Sequence, residues 1–365
     1  MNIRSKFSIS PPLLNSSNPW ATSKEDLVAL YSCPHTGAVT IRTSLWKAFA
    51  QHASTHQYTF FSSSNGHATT PIDITFPEGR GGVRDGETSS LNTLGYSPIA
   101  FEQYVELLVR MSQYGMLSLT SSSGPKPFIV SVTGTADEVA KCCEHLIKVL
   151  NDPDAIYPHP AGTRSAGLNL MMEINLSCPN IPDKPPPAYD GAALTEYIDA
   201  IAKAKSSTPQ SYKKVLYVGI KTPPYTFHGQ FKTLISALET SSISCSNGCP
   251  ISFITATNTL GSCLVLDSHV NPALGSVTGE GIGGMAGDAL HPLALGNVKT
   301  IRGLLDQSAH EDVRSISIIG IGGVKDADGF RRMKSVGAEA VGVGTALGRE
   351  GVGIFGKIAA GLEKH

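Results

Sequence analysis

Apolar, β-branched runs of four to eight residues alternate along this chain with stretches whose apolar positions recur every three or four residues. The first spacing predicts buried strands, and the second predicts amphipathic helices laid against them. Strands are expected near Pro12–Asn15, Gly37–Thr43, Ser90–Leu94, Phe128–Thr133, Met172–Leu176, Val215–Lys221, Ile251–Thr257, Ser315–Gly320 and Ala340–Gly344. Helices are expected at Lys24–Tyr31, Phe101–Met111, Asp137–Leu150, Leu194–Ala204, Gln230–Glu239, Leu295–Asp306, Asp326–Val336 and Val352–Leu362. In the second helix Phe101, Tyr104, Val105, Leu108 and Met111 make a single apolar face. About eight strand–helix pairs in one chain predict an α/β fold, a closed (β/α)8 TIM barrel. Three stretches break the rhythm: 45–90, polar and rich in Gly, Ser and Thr; 151–170; and the Gly-rich 260–294. Each is too long for an ordinary connection, so insertions at the active-site face are expected. No Pro/Gly/Ser linker separates two cores, so residues 1–365 are expected to form a single domain.

Composition narrows the class. Of 365 residues, 41% are hydrophobic and 16% charged, which describes a core-rich globular chain. The 29 basic and 30 acidic residues nearly cancel and offer no field for nucleic acid or an anionic membrane surface. Nothing approaches the ~18 consecutive apolar residues of a membrane span. The start, MNIRSKFSIS, has neither the apolar stretch of a signal peptide nor an Arg-rich transit pattern, so a cytoplasmic address is expected. Seven irregularly spaced cysteines do not form a disulfide framework. Cys142 and Cys143 fall at helical core spacing, and Cys245 and Cys249 lack a second ligand pair for zinc. The eleven histidines contain no metal-binding spacing, so no metal is expected.

In a barrel the chemistry comes from the C-terminal ends of the strands. After Met172–Ile174 comes Asn175-Leu-Ser-Cys178-Pro-Asn180 and then the proline-dense IPDKPPPAYDG. Cys178 is either an incidental thiol at a capped strand end or a thiol tuned for proton transfer. Lys221 ends the next strand, where a buried cation must meet an anion or an electron-rich ring, unless it snorkels to the rim. Gly320-Ile-Gly322-Gly323 and Gly344-Thr345 each follow a late strand and open a helix. Two such turns are the usual phosphate cradle of a barrel, the alternative being two tight turns with nothing bound. Gly279-Glu-Gly281-Ile-Gly283-Gly284 matches a dinucleotide-binding spacing, but no strand precedes it and no acidic residue ends a second strand.

Several motifs in one order resemble a known family. EINLSCPNIPDKPPPAYD, Glu173 to Asp190, resembles the active-site loop of dihydroorotate dehydrogenases, and most closely the soluble, fumarate-linked class with cysteine as base. PPLLNSSNPWATSKEDL, SLNTLGY, GIKTPPY, TATNTLG, GIGGMAG, IIGIGGVKDADG and GVGTALGREG resemble further motifs of that class in the same chain order. The resemblance implies an FMN-dependent oxidation of dihydroorotate to orotate, in pyrimidine synthesis, with fumarate as electron acceptor and a homodimeric enzyme. It implies that Cys178 is the general base. It implies that Asn92, Leu94, Gly95, Asn175, Asn180, Asn258, Thr259 and Arg42 hold the substrate. Ser16, Ser17, Arg42, Asn175, Lys221, Gly284, Gly322, Gly323, Gly344 and Thr345 match its FMN contacts.

The chain also departs from the pattern. Arg42 stands where the soluble class carries a lysine, and Asn18 replaces a glycine in the first flavin turn. The segment 45–90 carries HASTHQYTFFSSSNGHATT in place of the usual charged stretch. Two alternatives therefore stand beside the leading expectation. One is an FMN-dependent oxidoreductase of another cyclic or conjugated substrate; the other is a flavin-binding protein without turnover.

Overall fold

The computed structural model describes residues 7–68, 85–117, 125–152, 167–177 and 186–364. In chain order the strands are β1 (Leu13–Asn15), β2 (Val39–Thr40), β3 (Tyr58–Phe61), β4 (Ser89–Asn92), β5 (Pro127–Val132), β6 (Asn169–Asn175), β7 (Tyr217–Lys221), β8 (Ile251–Ala256), β9 (Leu260–Cys263), β10 (Gly283–Gly287), β11 (Ser317–Ile321) and β12 (Ala340–Val343). The helices are α1 (Lys24–Ser32), α2 (Phe101–Gln113), α3 (Ala136–Asn151), α4 (Gly191–Ser206), α5 (His228–Ser244), α6 (His291–Gln307), α7 (Glu311–Arg314), α8 (Ala327–Ser335), α9 (Thr345–Glu350) and α10 (Gly353–Leu362).

Eight strands form one parallel sheet in the order β1-β12-β11-β8-β7-β6-β5-β2. A parallel bridge between Leu14 and Ala38 brings its two edges together, and the fold is a (β/α)8 barrel. Asn15 clasps that seam. Its Nδ2 donates to the Thr40 carbonyl at 2.6 Å, and its Oδ1 accepts from the Thr40 N–H at 3.0 Å. The barrel strands read as near-continuous apolar runs because both of their faces are covered. Outward positions meet the helices in one large core, where Cys142 and Cys143 are buried as their spacing predicts. Inward positions such as Leu14, Ile129, Met171, Phe253 and Ile319 fill the barrel itself. Small and large residues alternate there: a Cβ on Gly219 would come within 2.3 Å of the Phe253 ring. Helix starts are fixed by their own side chains. Ser23 Oγ accepts from Asp26 N at 3.1 Å while Asp26 Oδ2 accepts from Ser23 N at 3.0 Å.

The expected strand near Ser90–Leu94 forms, but not in the barrel. As β4 it joins β3, β10 and β9 in a four-stranded sheet, antiparallel at every pairing. That sheet is built from the 45–90 and 260–294 excursions, whose strands β3, β9 and β10 the periodicity did not predict. Phe61, Leu91, Val265, Ala273 and Leu274 give it a small core of its own. Residues 69–84 and 153–166, within two of the expected insertions, lie outside the described residues. Among the described residues no helix is long and apolar enough to cross a membrane.

Candidate active site

One cleft, open to solvent, lies where the C-terminal ends of the barrel strands face the small sheet. Its floor comes from the strand ends: Ser16 and Ser17 after β1, Asn175 and Lys221, Thr257 and Asn258 after β8, Gly322 and Gly323 after β11, and Gly344 and Thr345 after β12. Arg42, two residues beyond β2, also lines it. Tyr58, Ser90, Asn92 and Ala286 of the small sheet form the opposite wall, with Leu94 and Gly95 just beyond β4.

The glycine turns have conformational reasons. Gly322 and Gly323 sit at φ 139° and 71°, a region that side chains resist. A Cβ on Gly323 would lie 2.6 Å from the Gly287 carbonyl oxygen, and one on Gly322 2.4 Å from Ala294 Cβ. His291 steadies this turn from behind. Arg332 Nε donates to His291 Nε2 at 3.1 Å, which leaves the hydrogen on Nδ1 to donate to the Gly322 carbonyl at 2.6 Å. Bare backbone N–H groups on two neighbouring turns suit an anion such as a phosphate.

Two cations are buried around the cleft. Lys221 is 4% exposed at the end of β7, and Arg42 is 6% exposed. Burial pulls the Arg42 guanidinium down to about 10. Its Nη2 donates to the Gly95 carbonyl at 3.3 Å and its Nη1 to Gln51 Oε1 at 3.4 Å. Among the described residues no carboxylate lies within ion-pair distance of it. Between the cations sits a group of amides. Asn175 Oδ1 accepts from the N–H and Oγ of Ser177 at 3.2 and 2.8 Å, and Asn258 Nδ2 donates to Ser177 Oγ at 2.8 Å. Asn92 Nδ2 donates to the Gly284 carbonyl at 3.0 Å.

The structure thus brings Ser16, Ser17, Arg42, Asn92, Leu94, Gly95, Asn175, Lys221, Asn258, Thr259, Gly322, Gly323, Gly344 and Thr345 to one cleft. Gly284 stands behind it on β10, where a Cβ would strike Thr259 Oγ1 at 2.2 Å. Cys178 and Asn180 lie outside the described residues. The strand-end reading did not single out an aromatic wall: Trp20 stacks on Phe60 with centroids 6.0 Å apart and meets Tyr58 edge-on at 5.3 Å. Its one signal was the apolar run Tyr58–Phe61 inside a polar excursion. Thr257 was also missed. Its Oγ1 is buried with no hydrogen-bond partner among the described residues, and the residue lines the cleft.

Glycine turns with bare N–H groups, two buried cations and a set of amides make a site suited to polar, anionic ligands. Comparison with known proteins gives the family. The model of the family described as "Dihydroorotate dehydrogenase" matches residues 163–365. A Streptococcus uberis protein, provisionally named dihydroorotate dehydrogenase A (fumarate), is 26% identical over 98% of this chain and 90% of its own. A Streptococcus agalactiae protein of the same name is 30% identical over 77% of this chain and 74% of its own. One from Streptococcus pyogenes is 29% identical over 76% and 73%. From its barrel to its strand-end motifs, this chain belongs to the dihydroorotate dehydrogenase family.

Proposed function

We propose that this oxidoreductase converts dihydroorotate to orotate, with FMN as its cofactor and fumarate as the final electron acceptor. The family and the printed names of the relatives support the general reaction. The observation that carries the finer reading is the meeting of Arg42, Lys221, three asparagines and two glycine turns in one cleft. The residues present fit FMN. Glycine is required at Gly322 and Gly323, where a Cβ would strike Ala294 and the Gly287 carbonyl, so the turn offers bare backbone, and the buried Thr257 Oγ1 has no hydrogen-bond partner among the described residues.

Each side chain then has a task. Gly322, Gly323, Gly344 and Thr345 would hold the phosphate, and Ser16 and Ser17 the edge of the ring. When bound, FMN supplies a two-electron acceptor for hydride. Lys221 would stabilise negative charge gathering on the ring edge, and Gly284 would back the wall against it. Asn92, Asn175, Asn180, Asn258 and Thr259, with the Leu94 and Gly95 backbone, would grip the amide edges of the substrate. Arg42 would face its carboxylate. Cys178 follows Ser177, a residue buried beside Asn175 and Asn258. As thiolate it would remove a proton from the carbon adjacent to the carboxylate-bearing one. Hydride leaves that second carbon, and the carbon–carbon double bond of orotate forms. A homodimer in the cytoplasm completes the proposal, with sedimentation velocity as the check on the former.

The deciding experiment is anaerobic mixing of the purified yellow protein with dihydroorotate while flavin absorbance is followed. Bleaching, reversed by fumarate, is expected, and denaturation should release FMN. Release of FAD, or a flavin that dihydroorotate leaves oxidised, would sink the reading. A second substrate class has one observation in its favour. Arg42 is tied to Gln51 in the divergent 45–90 segment, so substrate choice is linked to the least family-like part of the chain.

A further inference from the structure

Glu173 has no task in the scheme above. It lies on β6 two residues before Asn175 and two after Met171, a member of the barrel interior, and it is 2% exposed. Its Oε1 accepts from Ser131 Oγ at 2.8 Å. A hydroxyl has one hydrogen, so Ser131 can meet Thr43 Oγ1, 2.9 Å away, only as acceptor. Thr43 has then given up its own hydrogen and receives two others, from Asn175 Nδ2 at 3.2 Å and from Ser17 Oγ at 2.9 Å. Ser17 Oγ also accepts the Thr43 N–H at 2.8 Å, which leaves it one lone pair and no hydrogen for the cleft. On the far side of Asn175 the sense is the same: Asn258 donates to Ser177, and Ser177 donates to Asn175. Every donor along Asn258, Ser177, Asn175, Thr43 and Ser131 points one way, and the chain ends on a carboxylate.

We propose that Glu173 is a positioning residue for this site. Its carboxylate sets the direction of a buried hydrogen-bond chain, so that Ser17 meets a bound ring as an acceptor and takes an N–H from it. The inference rests on the FMN reading and assigns the sign of one of its contacts. An ionised carboxylate only accepts, so nothing on the chain can reverse while it stands. A glutamine of nearly the same shape can present its NH2 to Ser131. Ser131 then turns its hydrogen to Thr43, Thr43 to Ser17, and Ser17 to the cleft. A ring N–H formerly accepted would face a donor.

The test uses the apoprotein in four forms: parent, Glu173→Gln, Ser131→Ala, and the double variant, each titrated with FMN by fluorescence quenching. Glu173→Gln should bind FMN roughly three- to tenfold more weakly, the value of one hydrogen bond. Its bound flavin should also show a shifted absorption band. In the double variant the glutamine should add nothing to the loss caused by Ser131→Ala, because the carboxylate acts only through that hydroxyl. Thermal midpoints of the four apo forms keep folding apart from binding. A Glu173→Gln protein with parental FMN affinity and spectrum overturns the inference. So does full additivity in the double variant, or an affinity loss that only tracks a lowered midpoint. A parent that takes up no FMN overturns the cofactor reading instead, and this inference with it.

Discussion

Arg42 holds its charge where water barely reaches, tied to one carbonyl and one amide oxygen. That arrangement suits a group waiting for an anion. Arg42→Ala should lower kcat/KM with dihydroorotate roughly ten- to hundredfold, the range of a charged hydrogen bond, while Arg42→Lys should keep most of it. Equal rates for all three would show that the side chain does not reach the substrate. Cys178→Ala should still bind FMN and orotate, yet flavin reduction should fall by the ~10²–10⁴-fold of a lost general base. A parental rate would leave it a structural thiol. His56 makes a pH prediction. Burial, then its neighbour His52, holds its pKa below the ordinary value near 6.5. The unfolded chain therefore takes up a proton at a pH where the folded one does not, and stability falls as pH drops through about 6.5. The thermal midpoint should decline on that side more steeply in the parent than in His56→Gln. Residues of this kind differ in how far the sequence exposes them. Asn175, Lys221 and the late glycines are legible because they close apolar runs. Thr43 and Trp20 matter through partners far along the chain, which local spacing does not carry.

The turn after β11 is the element on which retention of the proposed FMN would depend most directly. Gly323→Ala forces a side chain into positive φ and against the Gly287 carbonyl and His291. We expect a folded barrel that loses its flavin on gel filtration, and a parental flavin-to-protein ratio would contradict the cradle. The barrel strands were legible because each is buried on both faces and flanked by a helical period. In the small sheet only β4 was; β3, β9 and β10 were not. Of these, β9 is half-exposed. Their partners are also remote: Asn92 reaches Gly284 across 192 residues. A strand that takes its identity from such a partner leaves little periodicity of its own.

At the scale of the whole molecule, β1 both closes the barrel seam against β2 and pairs with the last strand, β12. Asn15→Leu would strip the Thr40 N–H and carbonyl of their partners, at a cost of roughly 1–3 kcal/mol for each group left unmet. Urea unfolding should show the loss as a lower midpoint with an unchanged slope. The β1–β12 pairing also governs when the site can exist. Ser16 Oγ touches the Val343 carbonyl across 327 residues, and β1 pairs with β12 along its length. Contacts that distant are the slowest to form, since loop-closure entropy is met before any pairing rewards it. On a ribosome β1 would emerge early and stay without its neighbour until almost everything else had been made. A nascent chain stopped before Ala340 would own both cations and all three amides yet keep no cofactor, because the second glycine turn and the closing strand arrive together. Loading with FMN would then be an event of the finished polypeptide, and a translating or truncated one should be colourless.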